Sequence, residues 1–415
     1  MIVPQPQQPV PGSQRPEVAQ ATDTVVGGQY VQLLQPFLAR LRDAYIHPNR
    51  ELHFDSVLVA LLMGFYNSSV RSLRTLEDLS AVKGFVELLP LERVCRSTLS
   101  EAMRQMNAEQ LLPIVQALMK QLPAMRSQDP DLHALLRRII AADGSIFTVP
   151  ADVLWAIALK RTNGKTGRQF RLNLQLDVLQ FLPATFSISG ATDGSESAAF
   201  TRDLMAGVIY VCDRNFVDFN FIHAVFNKGS DLVVRLKLDT RFVVAEERTL
   251  NEADREANVV SDRTGHVPGS AGSPGFGNKL LREVVLTDPR TGKPVRLLTT
   301  LLDVPARIIG LLYRYRWMIE LFFKWLKCTA NLRHLTSESQ NGITMQLYVA
   351  VIAVLLMHLR TGRRPSIYAT NCINLVASGQ MSVAVMLKIL ERRERERDLD
   401  RARIARKKAA AKKIA

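Results

Sequence analysis

The spacing of apolar residues divides the chain near residue 130. Between about Gln29 and Leu122 apolar positions recur every three or four residues, as in YVQLLQPFLARL and FDSVLVALLMGFY, which is typical of amphipathic helices. Ser97 in RSTLSEAMRQM is a suitable helix N-cap. We therefore predict an all-helical domain at 29–130. The Pro- and Gln-rich segment 1–28 has no such period, and we expect a disordered leader there.

Beyond residue 130 the pattern becomes that of strands. An apolar run in IIAADGS leads into Asp143, and FRLNLQLDVLQFLPATFSIS alternates, with a turn expected near Leu182 and Pro183. A helical stretch, ESAAFTRDLM, then precedes the apolar strand GVIYVCD, which ends at Asp213, and a further helix and the strand DLVVRLKL follow. This order predicts a mixed α/β sheet in which the first and fourth strands are neighbours.

The second half of the chain interrupts and then completes this sheet domain. A turn-rich stretch, VPGSAGSPGFGNK, and a hairpin-like pair of strands around DPRTGKP predict a β-rich insertion at 241–302. Two apolar helices are expected at about 304–330 and 342–360. The predicted catalytic core therefore comprises 131–240 and 303–362.

The predicted C-terminal helical region, 363–415, ends in the tail ERRERERDLDRARIARKKAAAKKIA, which has eleven Lys or Arg and five Asp or Glu. Charge runs of this kind are usually solvated helices or disordered arms, and contact with nucleic acid is the alternative. The whole chain has 54 Lys and Arg against 39 Asp and Glu, a net charge of +15. This excess favours a polyanionic partner, with nucleic acid ahead of an anionic membrane surface.

Several classes of site are disfavoured by what the sequence lacks. The four cysteines are far apart with no CxxC pair, so we expect neither a zinc site nor a disulfide framework, and a reducing cytoplasm fits. The apolar run Leu347–Met357 is too short to span a bilayer, and the polar start has no signal-like apolar stretch. NGKTGR at 163–168 lacks the first glycine of a phosphate-binding loop, so no nucleotide is expected.

The segment YRYRWMIELFFKWLK, residues 313–327, combines one acid with several cations. On a helix, Tyr313, Arg316, Glu320 and Lys327 fall within an arc of about 60°. Arginine, lysine and tyrosine are suited to binding phosphate, and a carboxylate among them makes sense if it also binds a divalent cation. The alternative is a solvated helix face. We expect the aromatic residues of this segment to pack in the core.

Two aspartates are the best candidates to complete a metal site. Asp143 and Asp213 both follow apolar strands that are predicted to be neighbours, so their carboxylates should converge with Glu320. Such a set can bind two Mg²⁺ ions, or Mn²⁺ in their place, for in-line phosphoryl transfer. Alternatives remain: Asp143 as a turn residue before Gly144, Asp213 as a helix N-cap, and Asp193 in ATDGSES as the second ligand.

The spacing Tyr-x2-Arg-x3-Glu-x6-Lys resembles the signature of the family-four insertion-sequence transposases, the group that includes composite transposons five and ten. The stretches DGS at Asp143, CDRNF at Asp213 and the upstream CRSTLSEAM also resemble that family. The resemblance covers about residues 55 to 360. One departure is Asn215, where family members commonly have Gly; Asn tolerates positive φ better than other residues with a side chain.

The resemblance implies a ribonuclease-H-like fold, a mixed five-stranded sheet with flanking helices, in which Asp143, Asp213 and Glu320 bind the metal and catalyse the reaction. It also implies that Tyr313, Arg316 and Lys327 contact DNA near the transposon end. We add Lys324 and Arg214 as further DNA-binding candidates.

The expected function is that of a DNA transposase that cleaves transposon ends in a Mg²⁺-dependent reaction and joins the 3′-hydroxyls to target DNA. The resemblance further implies a hairpin intermediate and a synaptic homodimer. We expect such a protein in the cytoplasm with the nucleoid. The alternatives are a nuclease of the same fold, a catalytically inactive DNA-binding regulator, and membrane-surface binding by the tail.

Overall fold

The computed structural model describes residues 28–44, 51–122 apart from 68, 69, 90 and 92, residues 132 and 135, 137–361 apart from 151, 161–165, 194, 269–278, 290 and 329–334, and scattered positions between 372 and 403. The chain divides into two compact units, residues 103–364 and residues 1–102 with 365–415. The predicted leader, up to residue 27, and the end of the basic tail lie outside the described residues.

The N-terminal part of the chain is helical, as the apolar period predicts. It contains α1 (Gly28–Asp43), α2 (Phe54–Tyr66), α3 (Leu73–Ser80), α4 (Lys83–Val86) and α5 (Arg96–Gln105). Helix α2 is apolar on nearly all sides and is almost entirely buried, and Tyr30 of α1 stacks on its Tyr66 with ring centroids 4.7 Å apart. Helix α5 begins at Arg96, so Ser97 lies in its first turn and does not cap it.

The larger unit begins earlier than the predicted boundary at residue 130. A 3₁₀ turn (Ala108–Leu111) and α6 (Leu112–Gln121) contact α12 (Gln340–Thr361). The Asn341 side chain accepts a hydrogen bond from Ala108 N at 3.1 Å and donates to the carbonyls of Met103 and Met106. These contacts place residues 103–122 with the sheet unit.

Helix α12 is apolar enough to be compared with a membrane span. Within the described residues, the stretch Gln340–Leu359 meets the length and composition of such a span, but 78% of its most apolar window is buried inside the protein. It packs against α6 and against strand β4 (Leu182–Ser189) of the sheet. Its apolar character is therefore explained by its position in the core.

In the described residues, ten strands form one mixed sheet. They are β1 (Ile139–Val149), β2 (Ile157–Lys160), β3 (Thr166–Asp177), β4 (Leu182–Ser189), β5 (Ile209–Cys212), β6 (Asp231–Arg235), β7 (Val243–Glu247), β8 (Val259–His266), β9 (Leu281–Thr287) and β10 (Pro294–Thr299). The spatial order is β2-β3-β1-β5-β6-β10-β9-β8-β7, and β4 also pairs with β3. Strands β1, β5 and β6 are mutually parallel, and the remaining pairs are antiparallel.

The sheet is larger than the five strands predicted. The predicted strands correspond to β1, β3, β4, β5 and β6, but the sheet continues because β10 pairs with the free edge of β6. The predicted insertion therefore extends the same sheet. The turn predicted near Leu182 and Pro183 instead occupies 178–181, where Phe181 has a positive φ of 57°. Pro183 lies within β4, beside a bulge.

Helices pack on the sheet and position the segment around Glu320. They are α7 (Glu196–Arg202), α8 (Phe219–Asn227), α9 (Glu252–Glu256), α10 (Ala306–Tyr315) and α11 (Trp317–Cys328). Helix α10 contacts β5, β6, β8, β9 and β10. Its Gly310 permits this close packing, because a Cβ there would lie 2.5 Å from Leu286 Cδ2.

Buried ion pairs connect the insertion strands to the loop before α10. Arg282, only 1% exposed, donates from Nε and Nη2 to the two oxygens of Asp262, each at 2.7 Å. Its Nη1 donates to the carbonyls of Leu301, Leu302 and Val304. This one guanidinium therefore fixes the chain that enters α10.

Replacing Arg282 with Met should destabilise the protein by about 3–5 kcal/mol, because the buried Asp262 loses its principal partner and three carbonyls lose a donor. Thermal unfolding monitored by circular dichroism measures the change. The control is Arg255→Met, which alters an exposed arginine of α9 in the same insertion and should change stability by less than about 0.5 kcal/mol. Equal effects of the two substitutions would contradict the role of the buried pair.

Candidate active site

The register of the parallel strands brings two predicted acids together. Ala142 of β1 pairs with Cys212 of β5, so the next position in this register places Asp143 beside Asp213. Neighbouring strands are about 4.8 Å apart. Asp143 does not end its strand as predicted, since β1 continues to Val149, but its pairing with β5 ends at Ala142. Both acids therefore lie where the two strands separate.

Each aspartate is oriented by the amide that follows it. Asp143 Oδ1 accepts a hydrogen bond from Gly144 N at 2.9 Å, and Asp213 Oδ1 accepts one from Arg214 N at 2.6 Å. Asp213 also caps a short 3₁₀ turn, which is the alternative role considered in the sequence. The cap and the position beside Asp143 are compatible, because the cap uses one oxygen and leaves the other available.

The sequence analysis missed a third acid, Glu196, at the start of α7. A Cβ on Gly144 would lie 2.2 Å from Glu196 Oε1 and 3.0 Å from Arg171 Cδ, so this carboxylate packs directly on the glycine after Asp143. Burial above all raises the pKa of Glu196, while the nearby Arg171 lowers it. Sequence spacing gave no signal for Glu196, because its approach to Asp143 depends on the packing of α7 against the sheet.

Glu320 is bound to the arginine one turn before it. Arg316 Nη2 donates to Glu320 Oε1 at 2.6 Å. The predicted single helix at 304–330 is in fact two, α10 and α11, separated at Arg316, where tight i to i+3 hydrogen bonds link Tyr313 O to Arg316 N and Arg316 O to Ile319 N. The Nε of Arg316 is buried and has no hydrogen-bond partner among the described residues.

One cavity of about 360 Å³ unites several predicted residues. It is lined by Asp143, Gly144, Ser145, Glu320, Phe323, Lys324 and Lys327. Lys327 Nζ also lies 4.9 Å from the ring centre of Phe147 on β1, so this cation is held against the sheet. The cavity therefore places two carboxylates and two ammonium groups around one volume.

The remaining predicted residues lie next to this cavity. Asp213 and Arg316 both influence the pKa of Asp143, so the three groups are electrostatic neighbours. Tyr313, half-buried between α10 and the sheet, has a raised pKa because of burial first, with Arg316 and Asp213 among the charges that act on it. Arg214 instead lines a second cavity, beyond Asp213.

Neighbouring residues have local contacts of their own. Asp193 Oδ2 accepts a hydrogen bond from Gly190 N at 2.6 Å within its turn, and its role as the second ligand stays an alternative. Of the aromatic residues on α11, Phe322 and Phe323 are buried as expected. Trp317 is 56% exposed, so the prediction of core packing is wrong there, and the side chain of Trp325 lies outside the described residues.

The acids have the chemistry of a divalent-cation site but are not assembled as one. Carboxylate oxygens are the donors that hard cations prefer. Burial first, and then the charge of Glu196, raise the pKa of Asp143 to about 7. The charged form of this carboxylate is therefore unfavourable, and a bound cation would stabilise it. Within the part of the chain that the structure describes, no three His, Cys, Asp or Glu side chains stand close enough to share one ion. Glu320 would have to release Arg316 to join the two aspartates.

Replacing Asp143 with Asn should raise the melting temperature of the metal-free protein at about pH 8, by an amount that shrinks toward about pH 4. The folded-state pKa of about 7 lies above the ordinary value of 3.8, so the charged carboxylate lowers stability as pH rises between these values. The gain at high pH is on the order of 2–4 kcal/mol. Scanning fluorimetry in a chelating buffer measures it.

The control for this pH series is Asp152→Asn, at an exposed aspartate. It should leave the melting temperature unchanged at every pH. If Asp143→Asn changes the melting temperature by the same amount at every pH, the effect is one of packing, and the electrostatic explanation is contradicted.

Comparison with known proteins identifies the sheet unit. A family model described as "Transposase DDE domain" matches residues 134–356. The chain is 26% identical over 200 residues to putative transposase y4zB of Sinorhizobium fredii, over 48% of this chain and 55% of that protein. It is 34% identical over 74 residues to a probable transposase for insertion sequence element IS5377 of Geobacillus stearothermophilus, over 18% of this chain and 20% of that protein.

The chain thus spans about half the length of the first relative and a fifth of the second. Among solved structures, a piggyBac transposase synaptic complex with hairpin DNA, determined by cryo-EM, aligns with a TM-score of 0.38 and 11% identity, covering 89% of this chain and 78% of that one. The family match covers more than half of the chain and includes Asp143, Asp213 and Glu320. The chain therefore belongs to the family of proteins with a DDE transposase domain.

Proposed function

We propose that this protein is a DNA transposase that cleaves the ends of a mobile element and joins them to target DNA. The observation that carries the proposal is the position of Asp143 beside Asp213 where β1 and β5 separate, with Glu320 and Asp143 lining one cavity that also contains two lysines. This arrangement lies inside the region matched by the family model. In this account Asp143, Asp213 and Glu320 are the catalytic residues.

The cations around the acids are suited to a DNA backbone. Lys324 and Lys327 line the cavity that contains Asp143 and Glu320, and a phosphodiester there would lie between ammonium groups and carboxylates. Arg316 has a buried Nε without a partner among the described residues, which a phosphate oxygen would satisfy. Tyr313 would add a hydroxyl donor. We propose that these four residues contact DNA near the scissile phosphate, with Arg214 further along the strand.

The acids would bind Mg²⁺, for which Mn²⁺ would substitute. Such a cation supplies an activated water or 3′-hydroxyl and stabilises the leaving oxygen. The protein itself contributes the orientation of Asp143 and Asp213 through their following amides. Arg316 would exchange its contact with Glu320 for a contact with phosphate, which frees the carboxylate as substrate enters. Substrate binding and completion of the metal site would therefore be coupled.

Strand order and motif support a finer classification, which is part of the proposal. The strands β4-β3-β1-β5-β6 are successively antiparallel, antiparallel, parallel and parallel, which supports a ribonuclease-H-like core extended by the insertion. The Tyr313 to Lys327 spacing supports membership of the family-four insertion-sequence group. We further propose that the N-terminal helices bind DNA, that the active form is a homodimer on paired ends, and that the protein acts at the nucleoid in the cytoplasm.

Glu320→Gln should abolish end cleavage and strand transfer, by at least about 10³-fold, while DNA binding remains, because the amide keeps the shape and loses the charge needed for a cation. The assay uses a supercoiled plasmid that carries the native coding region with its flanking DNA, in Mg²⁺. The matched control is Glu338→Gln, at an exposed glutamate before α12, which should cleave like wild type.

The outcomes separate the alternatives. Equal activity of wild type and Glu320→Gln would refute the assignment of the acids. Cleavage without joined products in wild type would favour a nuclease of the same fold. DNA binding with no cleavage by wild type would favour an inactive regulator, in which the Arg316 contact with Glu320 is permanent.

A further inference from the structure

A second cationic cavity is lined by Arg214, which follows Asp213, and by residues at the end of β6. Its volume is about 340 Å³, and its charged lining consists of Arg214, Arg235, Lys237, Asp239 and Arg296. Among the residues that the structure describes, the side chains of Arg214, Arg235 and Lys237 form no salt bridge with a carboxylate. The cavity thus brings these three cations together with one exposed acid, Asp239. A concave surface of this charge is suited to an anion.

Strand register places this cavity in line with the catalytic acids. Cys212 of β5 pairs with Val234 of β6, so the following positions set Asp213 beside Arg235, as the same register sets Asp143 beside Asp213. Three parallel strands therefore present acid, acid and arginine in one row at the same edge of the sheet. Arg235 is also among the charges that act on Tyr313, so it is an electrostatic neighbour of that tyrosine as well as a lining residue of the second cavity.

The wall of the second cavity is built from buried ion pairs. Glu283, which is fully buried, accepts hydrogen bonds from Arg263 Nε at 2.5 Å and from Arg296 Nε at 2.6 Å. Arg296 Nη1 then donates to the carbonyls of Lys237 and Leu238, at 3.3 and 2.7 Å. The charge of Arg296 is thus compensated, and its role is to hold the segment that presents Lys237. The insertion strands β9 and β10 supply this support.

We infer that Arg235 and Lys237, with Arg214, form a second binding site for the phosphodiester backbone of DNA, next to Asp213 in the strand register. The inference rests on the proposed DNA function and assigns to Arg235 and Lys237 a contact that neither the motif nor the family match gives. The two cationic cavities would bind phosphates of the same DNA strand on either side of the acids. The strand would therefore pass next to the carboxylates proposed as catalytic.

This site also gives the insertion a function. The support from β9 and β10 reaches the second cavity through Arg296, so the extended sheet forms one wall of the DNA path. The strand that occupies it belongs either to the element end or to target DNA. Both present the same phosphodiester chemistry, and the probes below distinguish them.

The test measures how DNA affinity depends on salt for the full-length protein without divalent metal, so that no cleavage occurs. Each lost phosphate contact should reduce the slope of log K against log salt by about 0.9 on duplex DNA. Lys237→Gln should reduce it by about 0.9, and Arg235→Gln with Lys237→Gln by about 1.8. Lys237 is exposed, so its substitution does not threaten folding, and circular dichroism checks the double variant.

The matched control is Lys228→Gln, an exposed lysine three residues before the opposite end of β6. Its slope should equal that of wild type. Two probes are compared: a mixed-sequence duplex, and duplexes that span the two junctions of the native element. A reduced slope on both probes shows a shared backbone site. Reduction on junction DNA alone assigns the site to the element end, and reduction on the mixed duplex alone assigns it to target DNA.

An unchanged slope in the folded double variant on both probes would overturn the inference. Plasmid cleavage by the wild-type protein in Mg²⁺ tests the proposed function separately. If the wild type cleaves and the double variant has an unchanged salt slope, only the second site is refuted. If the double variant has a reduced slope but the wild type does not cleave, the second site stands and the transposase proposal is refuted.

Discussion

The structure depends on the register between three parallel strands, β1, β5 and β6. Hydrogen bonding between these strands leaves Asp143 and Asp213 adjacent at one edge, although like charges at this spacing repel each other. Burial above all, then the charge of Glu196 and last that of Asp213, raise the pKa of Asp143 to about 7. Arg316 offsets part of the cost. The fold therefore maintains a concentration of negative charge that is unfavourable by itself, as is common at functional sites.

Buried carboxylates are paired with arginines more completely in the insertion than around Asp143 and Glu320. In the insertion, Asp262 and Glu283 are buried with closely bonded arginines, and such pairs are costly to break. Around the acids, Arg316 holds Glu320 through one hydrogen bond and keeps one buried donor without a partner among the described residues. The first arrangement fixes geometry, whereas the second leaves room for exchange with a ligand. Helix α10 connects the two arrangements, because Arg282 anchors the loop that leads into this helix and Arg316 follows its last residue.

The sequence was sufficient for features that local patterns encode. The helical N-terminal region, the hairpin of β9 and β10, and the strands that lead to Asp143 and Asp213 follow from the period of apolar residues. The Tyr313 to Lys327 spacing singled out Glu320 and Lys327, which line one cavity with Asp143 although the helix is broken at Arg316. The approach of Glu196 to Gly144 and of Arg235 to Asp213 was not predictable, because both contacts join segments that are distant along the chain. The extension of the sheet through β10 was missed for the same reason, since pairing with the edge of β6 is a tertiary event.

The central proposal is that the strand register sets Asp143 beside Asp213, and that the two aspartates bind a divalent cation together with Glu320 once Glu320 leaves Arg316. The most direct test is the anomalous scattering of Mn²⁺ in crystals of the full-length protein bound to DNA. The account predicts a manganese peak between the two aspartates, with Glu320 released from Arg316 and turned toward the metal. A peak at other acids, or an Arg316 to Glu320 contact that persists with DNA and Mn²⁺ bound, would contradict it.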